Sequence, residues 1–130
     1  MIVDDSATSR MFIRRCLQMV LADREETEYA EAGDGKEALA KLKMSSFDII
    51  FADLNMPIMG GFTLLRWVKS SPKLLEIPVV IITSVDNPAN RDELVRLGAL
   101  KVLSKPIAPA KLTPIINDIF ELESDSFGFE

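Results

Sequence analysis

Residues 49–57 read Ile-Ile-Phe-Ala-Asp-Leu-Asn-Met-Pro, an apolar run that ends in the carboxylate of Asp53 and passes into a loop. Three other runs also end in polar side chains: Ile2-Val3 before Asp4 and Asp5, residues 79–82 before Thr83, and Val102-Leu103-Ser104 before Lys105. Short apolar runs of this kind are typical of strands buried in a parallel sheet. The carboxyl ends of parallel strands share one edge, so these polar side chains are predicted to meet there, where open α/β sheets bind ligands.

The apolar runs alternate with longer amphipathic segments along the chain. Runs near residues 2–3, 27–31, 48–52, 78–82 and 99–103 are the predicted strands, and the segments between them carry apolar residues at helical spacing. This alternation predicts repeated βα units around one parallel sheet. We expect one domain over residues 1–122, followed by an acidic, mobile tail over residues 123–130.

Two helices give specific expectations about their ends. Asn87 and Pro88 are the predicted N-cap and first residue of the fourth helix. Pro109 fits the first turn of the fifth helix, but Pro114 would delete an interior hydrogen bond in a helix already under way, so a start near Thr113 and Pro114 is favoured.

Apolar spacing also predicts which side chains the helices bury. Trp67 falls off the apolar stripe of the third helix, a position that allows exposure, and a half-buried packing role is favoured over a binding role. Cys16 is expected to fill the core. The buried side of the fourth helix is predicted to consist of Leu94, Val95 and Leu97.

The composition of the chain excludes several classes of function. Its 130 residues, 48% of them hydrophobic, predict one packed globule, and no apolar run approaches the ~20 residues of a membrane span. A net charge of −5 argues against direct nucleic-acid binding, which needs a basic face. The chain has no histidine, which removes imidazole zinc sites, Ser-His-Asp triads and an internal phosphohistidine relay. With a single cysteine, a reducing compartment fits and the cytoplasm is the expected location.

The clustered side chains favour the chemistry of phosphoryl transfer. Asp53 is the best candidate nucleophile, because a carboxylate at an open strand end can accept a phosphoryl group as an acyl phosphate. Asp5 and Asp53 could hold Mg²⁺ with waters and a loop carbonyl from Asn55. Lys105 would pair with one phosphoryl oxygen and Thr83 would donate a hydrogen bond to another.

The arrangement of these residues along the chain resembles that of a known protein family. The chain is similar to receiver domains of two-component response regulators, of the chemotaxis CheY type, over essentially all its residues. The resemblance rests on motifs in family order and spacing: Asp4-Asp5, Asp53-Leu54-Asn55-Met56-Pro57, Gly61, Thr83-Ser84 and Lys105-Pro106.

The resemblance implies a fold and a role for each motif. The implied fold is a flavodoxin-like, doubly wound sheet of five parallel strands in order 2-1-3-4-5, with helices on both faces. It also implies that a partner histidine kinase or phosphotransfer protein phosphorylates Asp53. Mg²⁺ would be bound by Asp5, Asp53 and the Asn55 carbonyl, with Asp4 acting through water. The phosphoryl group would contact Thr83, Ser84 and Lys105, and the Lys105–Pro106 peptide is expected to be cis.

The output side of the domain departs from the family pattern. The switch position on the fifth strand usually carries Tyr or Phe, and here it is Val102. We expect the working surface around Arg91, Lys101, Val102 and Pro109, with Thr83 moving toward the phosphoryl group. Output would pass to an unidentified partner protein in trans or to a missing effector domain.

Two other functions share features with the receiver. A haloacid-dehalogenase-like phosphatase also uses an Asp nucleophile with Mg²⁺, Thr and Lys, but its motif has a second Asp two residues after the nucleophile, where this chain has Asn55, and it carries a cap domain. A pseudo-receiver that only binds proteins would lack the acidic pair or the lysine. We therefore expect a phosphoacceptor signalling domain, not an enzyme, that binds neither nucleic acid nor membranes.

Overall fold

The computed structural model describes residues 1–24, 26–85 and 87–128, with side chains described as far as residue 120. Strands and helices alternate along the described residues: β1 (Ile2–Val3), α1 (Ala7–Val20), β2 (Glu31–Ala32), α2 (Gly35–Met44), β3 (Ile50–Asp53), α3 (Gly61–Ser70), β4 (Val79–Thr83), α4 (Pro88–Arg96), β5 (Lys101–Ser104) and α5 (Pro109–Gly128). The strands form one parallel sheet in the order β2-β1-β3-β4-β5. The predicted fold class and strand order are confirmed.

Successive residues of a strand point to opposite faces of the sheet, and helices cover both faces. On one face, side chains such as Ala52 and Ile81 pack in a core with Leu64 and Leu94 from the helices. The other face carries a separate core that joins strand residues such as Phe51 to α1 and α5. Cys16 is buried in this second core, as expected.

The helix starts follow local capping chemistry. The Ser6 hydroxyl accepts a hydrogen bond from the Ser9 N–H at 3.2 Å and caps α1. Asn87 caps α4 in the same way, and Pro88 is the first helical residue, so this prediction is confirmed. Within the described residues, no helix combines the length and hydropathy that crossing a bilayer requires.

The predicted late start of α5 is wrong. The helix begins at Pro109 and contains Pro114. Pro114 removes one intrahelical donor near the first turns, and burial of the next two residues, Ile115 and Ile116, offsets that loss. Residues 123–128 continue α5; mobility of the tail stays a prediction, and residues 129 and 130 lie outside the described part of the chain.

Two predicted packing roles also differ from the structure. Val95 is 52% exposed, because α4 buries only a narrow stripe at Leu94 and the next side chain points about 100° away around the helix. Trp67 is 57% exposed on α3, so it does not fill the half-buried position favoured from the sequence.

Candidate functional site

The carboxyl edge of the sheet brings the predicted polar side chains together. Asp4 directly follows β1, Asp53 is the last residue of β3, and Lys105 directly follows β5. The carboxylate groups of Asp4, Asp5 and Asp53 each offer an oxygen, and these oxygens lie within 4.8 Å of one another. Asp5 is exposed, whereas the other two carboxylates are buried.

Asp4 lies deepest in the cluster, and its carboxylate is held from several sides. Its Oδ1 accepts a hydrogen bond from the Ser6 N–H at 2.9 Å. Its Oδ2 accepts one from the Ser9 hydroxyl at 2.6 Å and one from Lys105 Nζ at 3.0 Å. Burial raises the pKa of Asp4, but the hydrogen bonds from Ser9 and Ser6 and the Lys105 ammonium outweigh it, so the pKa lies below its usual value. Asp4 is therefore a stable anion at neutral pH.

Lys105 stands between two carboxylates. Its Nζ is 3.0 Å from Asp4 Oδ2 and 3.6 Å from Asp53 Oδ2. Burial lowers the pKa of Lys105, but the two carboxylates outweigh burial and hold the pKa above its usual value. The Lys105–Pro106 peptide is cis. The ammonium is thus charged at neutral pH and lies 3.6 Å from the Asp53 carboxylate.

The environment of Asp53 differs from that of Asp4. Burial raises the pKa of Asp53; the nearby Lys105 ammonium lowers it, Asp4 and Asp5 raise it further, and the net pKa is above the usual value. The Asn55 backbone N–H lowers the pKa of this carboxyl by a smaller amount. A cation bound beside Asp53 would relieve both the burial of its charge and the repulsion from Asp4 and Asp5.

The loop after β3 is held tightly against the strand end. The Gly61 N–H donates to the Leu54 carbonyl at 2.9 Å, and a Cβ atom at Gly61 would lie 2.6 Å from the Asp53 carbonyl oxygen. The Met59 carbonyl accepts a hydrogen bond from the Gly35 N–H at 2.8 Å, which ties the loop to the start of α2. Ile58 has a positive φ of 67° at the exposed tip. Close backbone approach at Gly61 thus sets the path of the chain that leaves Asp53.

Thr83 and Ser84 lie on the neighbouring strand end. Thr83 is buried, and its hydroxyl donates to the Val85 carbonyl at 3.2 Å and accepts from the Val85 N–H at 3.1 Å. Ser84 is exposed. The Thr83 hydroxyl is therefore engaged with the loop that leads to α4.

The predicted output residues lie away from this cluster, around α4 and β5. Val102 is buried at 4% exposure in the core beneath α4. Arg91 Nη1 donates to the Val102 carbonyl at 2.9 Å and links α4 to β5. Lys101 is exposed at the start of β5, and Pro109 begins α5. The structure thus places these residues along adjoining elements without bringing them to Asp53.

Sequence reasoning missed three residues that organise the site. Ser6 and Ser9 both hydrogen-bond to the Asp4 carboxylate, and Arg10 Nη1 donates to the Asp4 backbone carbonyl. The same guanidinium pairs with Glu31 at 3.0 Å. The position of Ser6 could be predicted from the sequence, since a serine just before an apolar helical stripe is a typical N-cap. Ser9 and Arg10 carry none, because their contacts depend on tertiary packing.

The donor set of the cluster fits a hard divalent cation. All of its ligating atoms are oxygens, which suit Mg²⁺ or Ca²⁺ more than zinc. Asp4 Oδ2 already accepts two hydrogen bonds, which matches a role through water. The carboxylate oxygens of Asp5, which is exposed, and of Asp53 are better placed for direct ligation.

The strand order and the carboxylates at the carboxyl edge define the class: a doubly wound α/β domain of the flavodoxin-like fold. A model of the response regulator receiver domain matches residues 1–117. The chain therefore belongs to the response regulator receiver family of two-component signalling and is a CheY-like phosphoacceptor receiver domain.

Individual relatives show the same likeness. Chemotaxis protein CheY of Pseudomonas aeruginosa is 36% identical over 124 residues, which cover 93% of this chain and 94% of that protein. A protein-glutamate methylesterase/protein-glutamine glutaminase of Caldanaerobacter subterraneus is 39% identical over 109 residues, 82% of this chain but only 28% of that protein. The solved receiver domain of AraT, a response regulator from Geobacillus stearothermophilus, superposes with a TM-score of 0.79 at 31% identity, covering 96% of this chain and 95% of that one. The chain thus spans nearly all of CheY and a small part of the methylesterase.

Proposed function

We propose that Asp53 accepts a phosphoryl group from the phosphohistidine of a partner histidine kinase or phosphotransfer protein. The observation that carries the proposal is the position of its carboxylate, 3.6 Å from the Lys105 ammonium at the open end of β3. In the transfer, an Asp53 oxygen attacks phosphorus, an O–P bond forms and the N–P bond breaks. The electron pair stays on the leaving imidazole nitrogen, and the product is an acyl phosphate on Asp53.

The side chains around Asp53 supply the positioning that phosphoryl transfer needs. Lys105 pairs with one oxygen of the transferred group. Thr83 and Ser84, at the adjacent strand end, would contact another oxygen of that group. Asp5, Asp53 and the Asn55 carbonyl would hold Mg²⁺, with Asp4 acting through water. When bound, Mg²⁺ supplies charge neutralisation for the carboxylates and the phosphoryl oxygens.

A phosphoacceptor role is better supported than turnover of a separate substrate. The residue two beyond Asp53 is Asn55, which brings no second carboxylate for acid–base work. The domain is therefore proposed to be a switch that carries its own phosphoryl group. We also propose that it acts in the cytoplasm, since its single cysteine fits a reducing compartment. Incubation with acetyl phosphate and Mg²⁺ tests this function, because an acyl phosphate adds the mass of one phosphoryl group.

Replacing Asp5 by Asn is expected to weaken Mg²⁺ binding at least about tenfold, because a unit charge ~4 Å from a cation contributes several kcal/mol at an effective dielectric near 20. The measurement is a Mg²⁺ titration followed by amide chemical shifts. Asp48→Asn is the matched control, since Asp48 is an exposed aspartate that precedes β3 at its other end. Equal affinities for the wild type and Asp5→Ala or Asp5→Asn would remove Asp5 from the ligand set.

We further propose that the output surface is formed by α4, β5 and the start of α5. Thr83 moves toward the phosphoryl group and releases Val85, which shifts the populations of two packings of the loop before α4. No ring stands at Val102 to rotate, so the loop and α4 carry the change. Partner proteins would bind this surface. Direct nucleic-acid binding is disfavoured by the net negative charge of the chain.

Hydrogen exchange with and without beryllofluoride, a mimic of the phosphoryl group, is expected to change protection over residues 84–103. The reason is that the Thr83 hydroxyl must exchange its bonds to Val85 for one to the mimic, which frees the loop. Protection that changes only over residues 54–61 would contradict this surface and would favour one that includes exposed Trp67. Asp53→Asn with beryllofluoride serves as the control without a mimic bound.

A further inference from the structure

The Asp4 carboxylate oxygen that faces Lys105 has a second donor, the hydroxyl of Ser9. Ser9 Oγ lies 2.6 Å from Asp4 Oδ2, and Lys105 Nζ lies 3.0 Å from the same oxygen. The two donors come from different elements, Ser9 from the first turn of α1 and Lys105 from the residue directly after β5. Asp4 itself is 0% exposed, so bulk water does not freely replace a donor that leaves.

The proposed function requires Lys105 to change partners. Its ammonium is closer to Asp4 than to Asp53, at 3.0 Å against 3.6 Å, and it must turn toward a phosphoryl group carried by Asp53. That movement takes a cationic donor away from a buried carboxylate. A buried charged acceptor that loses a donor pays a large desolvation cost unless another donor remains.

We propose that Ser9 is a positioning residue that frees Lys105 for the phosphoryl group. Its hydroxyl keeps Asp4 Oδ2 hydrogen-bonded when the ammonium leaves, so the cost of the exchange falls. The inference rests on the proposed function and names a residue that acts through Asp4 and Lys105 without touching the phosphoryl group.

The start of α1 holds Ser9 in place for this role. Ser6 accepts the Ser9 N–H at 3.2 Å through its side chain and donates its own N–H to Asp4 Oδ1 at 2.9 Å. The cap of the helix and the carboxylate are thus joined in one hydrogen-bonded ring that contains Ser6, Ser9 and Asp4. Because the helix fixes its backbone, the Ser9 hydroxyl can stay on Asp4 while the flexible Lys105 side chain moves.

The test measures beryllofluoride affinity in the presence of Mg²⁺, by amide chemical shifts, for the wild type and Ser9→Ala. Loss of the hydroxyl is expected to weaken beryllofluoride binding about tenfold, the scale of one hydrogen bond to a charged group. Ser9→Thr keeps the hydroxyl and is expected to restore affinity. Thr8→Ala, at the exposed neighbouring position, is the matched control and is expected to bind like the wild type.

A double-mutant cycle with Lys105→Ala separates positioning from a structural role. If Ser9 acts by releasing Lys105, Ser9→Ala has no further effect on beryllofluoride affinity once the lysine is gone. An equal loss in both backgrounds would overturn the inference, since Ser9 would then act without Lys105. Ser9→Cys fills similar space with a weaker donor and gives the same comparison if Ser9→Ala does not fold.

The outcomes for the wild type distinguish this inference from the proposed function. Tight beryllofluoride binding by both the wild type and Ser9→Ala would overturn the role of Ser9 and leave Asp53 as phosphoacceptor. No binding by the wild type would overturn the proposed function, and the inference with it.

Discussion

Asp53→Asn is expected to abolish phosphorylation by acetyl phosphate completely. The amide nitrogen and oxygen of Asn are poor nucleophiles, and the variant also removes one negative charge from the acidic cluster. Mass spectrometry of the intact protein measures the effect directly. The wild type should gain the mass of one phosphoryl group in the presence of Mg²⁺, and the variant should gain nothing.

The control for this experiment is Asp48→Asn, which makes the same chemical change at an exposed position before β3. It should be phosphorylated like the wild type. A phosphoryl group that persists in Asp53→Asn would place the acceptor elsewhere, and fragmentation of the protein would then identify the carboxylate that carries it.

Gly61→Ala adds one methyl group, and it is expected to destabilise the protein more than any other single methyl group added at the site. Its Cβ would lie 2.6 Å from the Asp53 carbonyl oxygen and 3.0 Å from Leu54 Cα. Both neighbours are backbone atoms, so the loop or the strand end must shift. We expect the free energy of unfolding to fall by about 1–3 kcal/mol, the usual cost of overpacking, as measured by urea denaturation.

The same substitution should also slow phosphorylation, because displacement of the Asp53 backbone moves the nucleophile relative to Lys105. Gly33→Ala is the matched control, since the atoms nearest to its added Cβ are side-chain atoms at 3.5 Å and 4.0 Å. That variant should change stability by a few tenths of a kcal/mol. Equal stability of Gly61→Ala and Gly33→Ala would show that the loop yields without cost.

Much of the fold and of the acidic cluster could be predicted from the sequence. Apolar runs that end in Asp53, Thr83 and Lys105 specify buried parallel strands, and the geometry of a parallel sheet then places their ends at one edge. Helix starts such as Asn87-Pro88 follow from capping within a few residues. These features depend on local chemistry, which is why the pattern alone predicts them.

Other features depend on contacts that no local pattern encodes. The hydroxyl of Ser9 contacts Asp4 because α1 packs beside β1, and nothing in its spacing indicates that partner. The sequence predicts burial of both Leu94 and Val95, but α4 buries Leu94 at 0% exposure and leaves Val95 52% exposed. The sequence predicts too late a start for α5, because the burial of Ile115 and Ile116, which outweighs the effect of Pro114, is a tertiary effect.

The exposure of Trp67 has an optical consequence. It is the single tryptophan of the chain, it is 57% exposed, and it lies six residues beyond Gly61, about 9 Å further along α3 at 1.5 Å per residue. Its indole is already largely exposed to water in the folded protein. The wavelength of its fluorescence emission should therefore respond little to unfolding or to chemistry at Asp53. The fluorescence is instead sensitive to whatever covers α3, and quenching by iodide would reveal a partner that shields this helix in a titration without any added label.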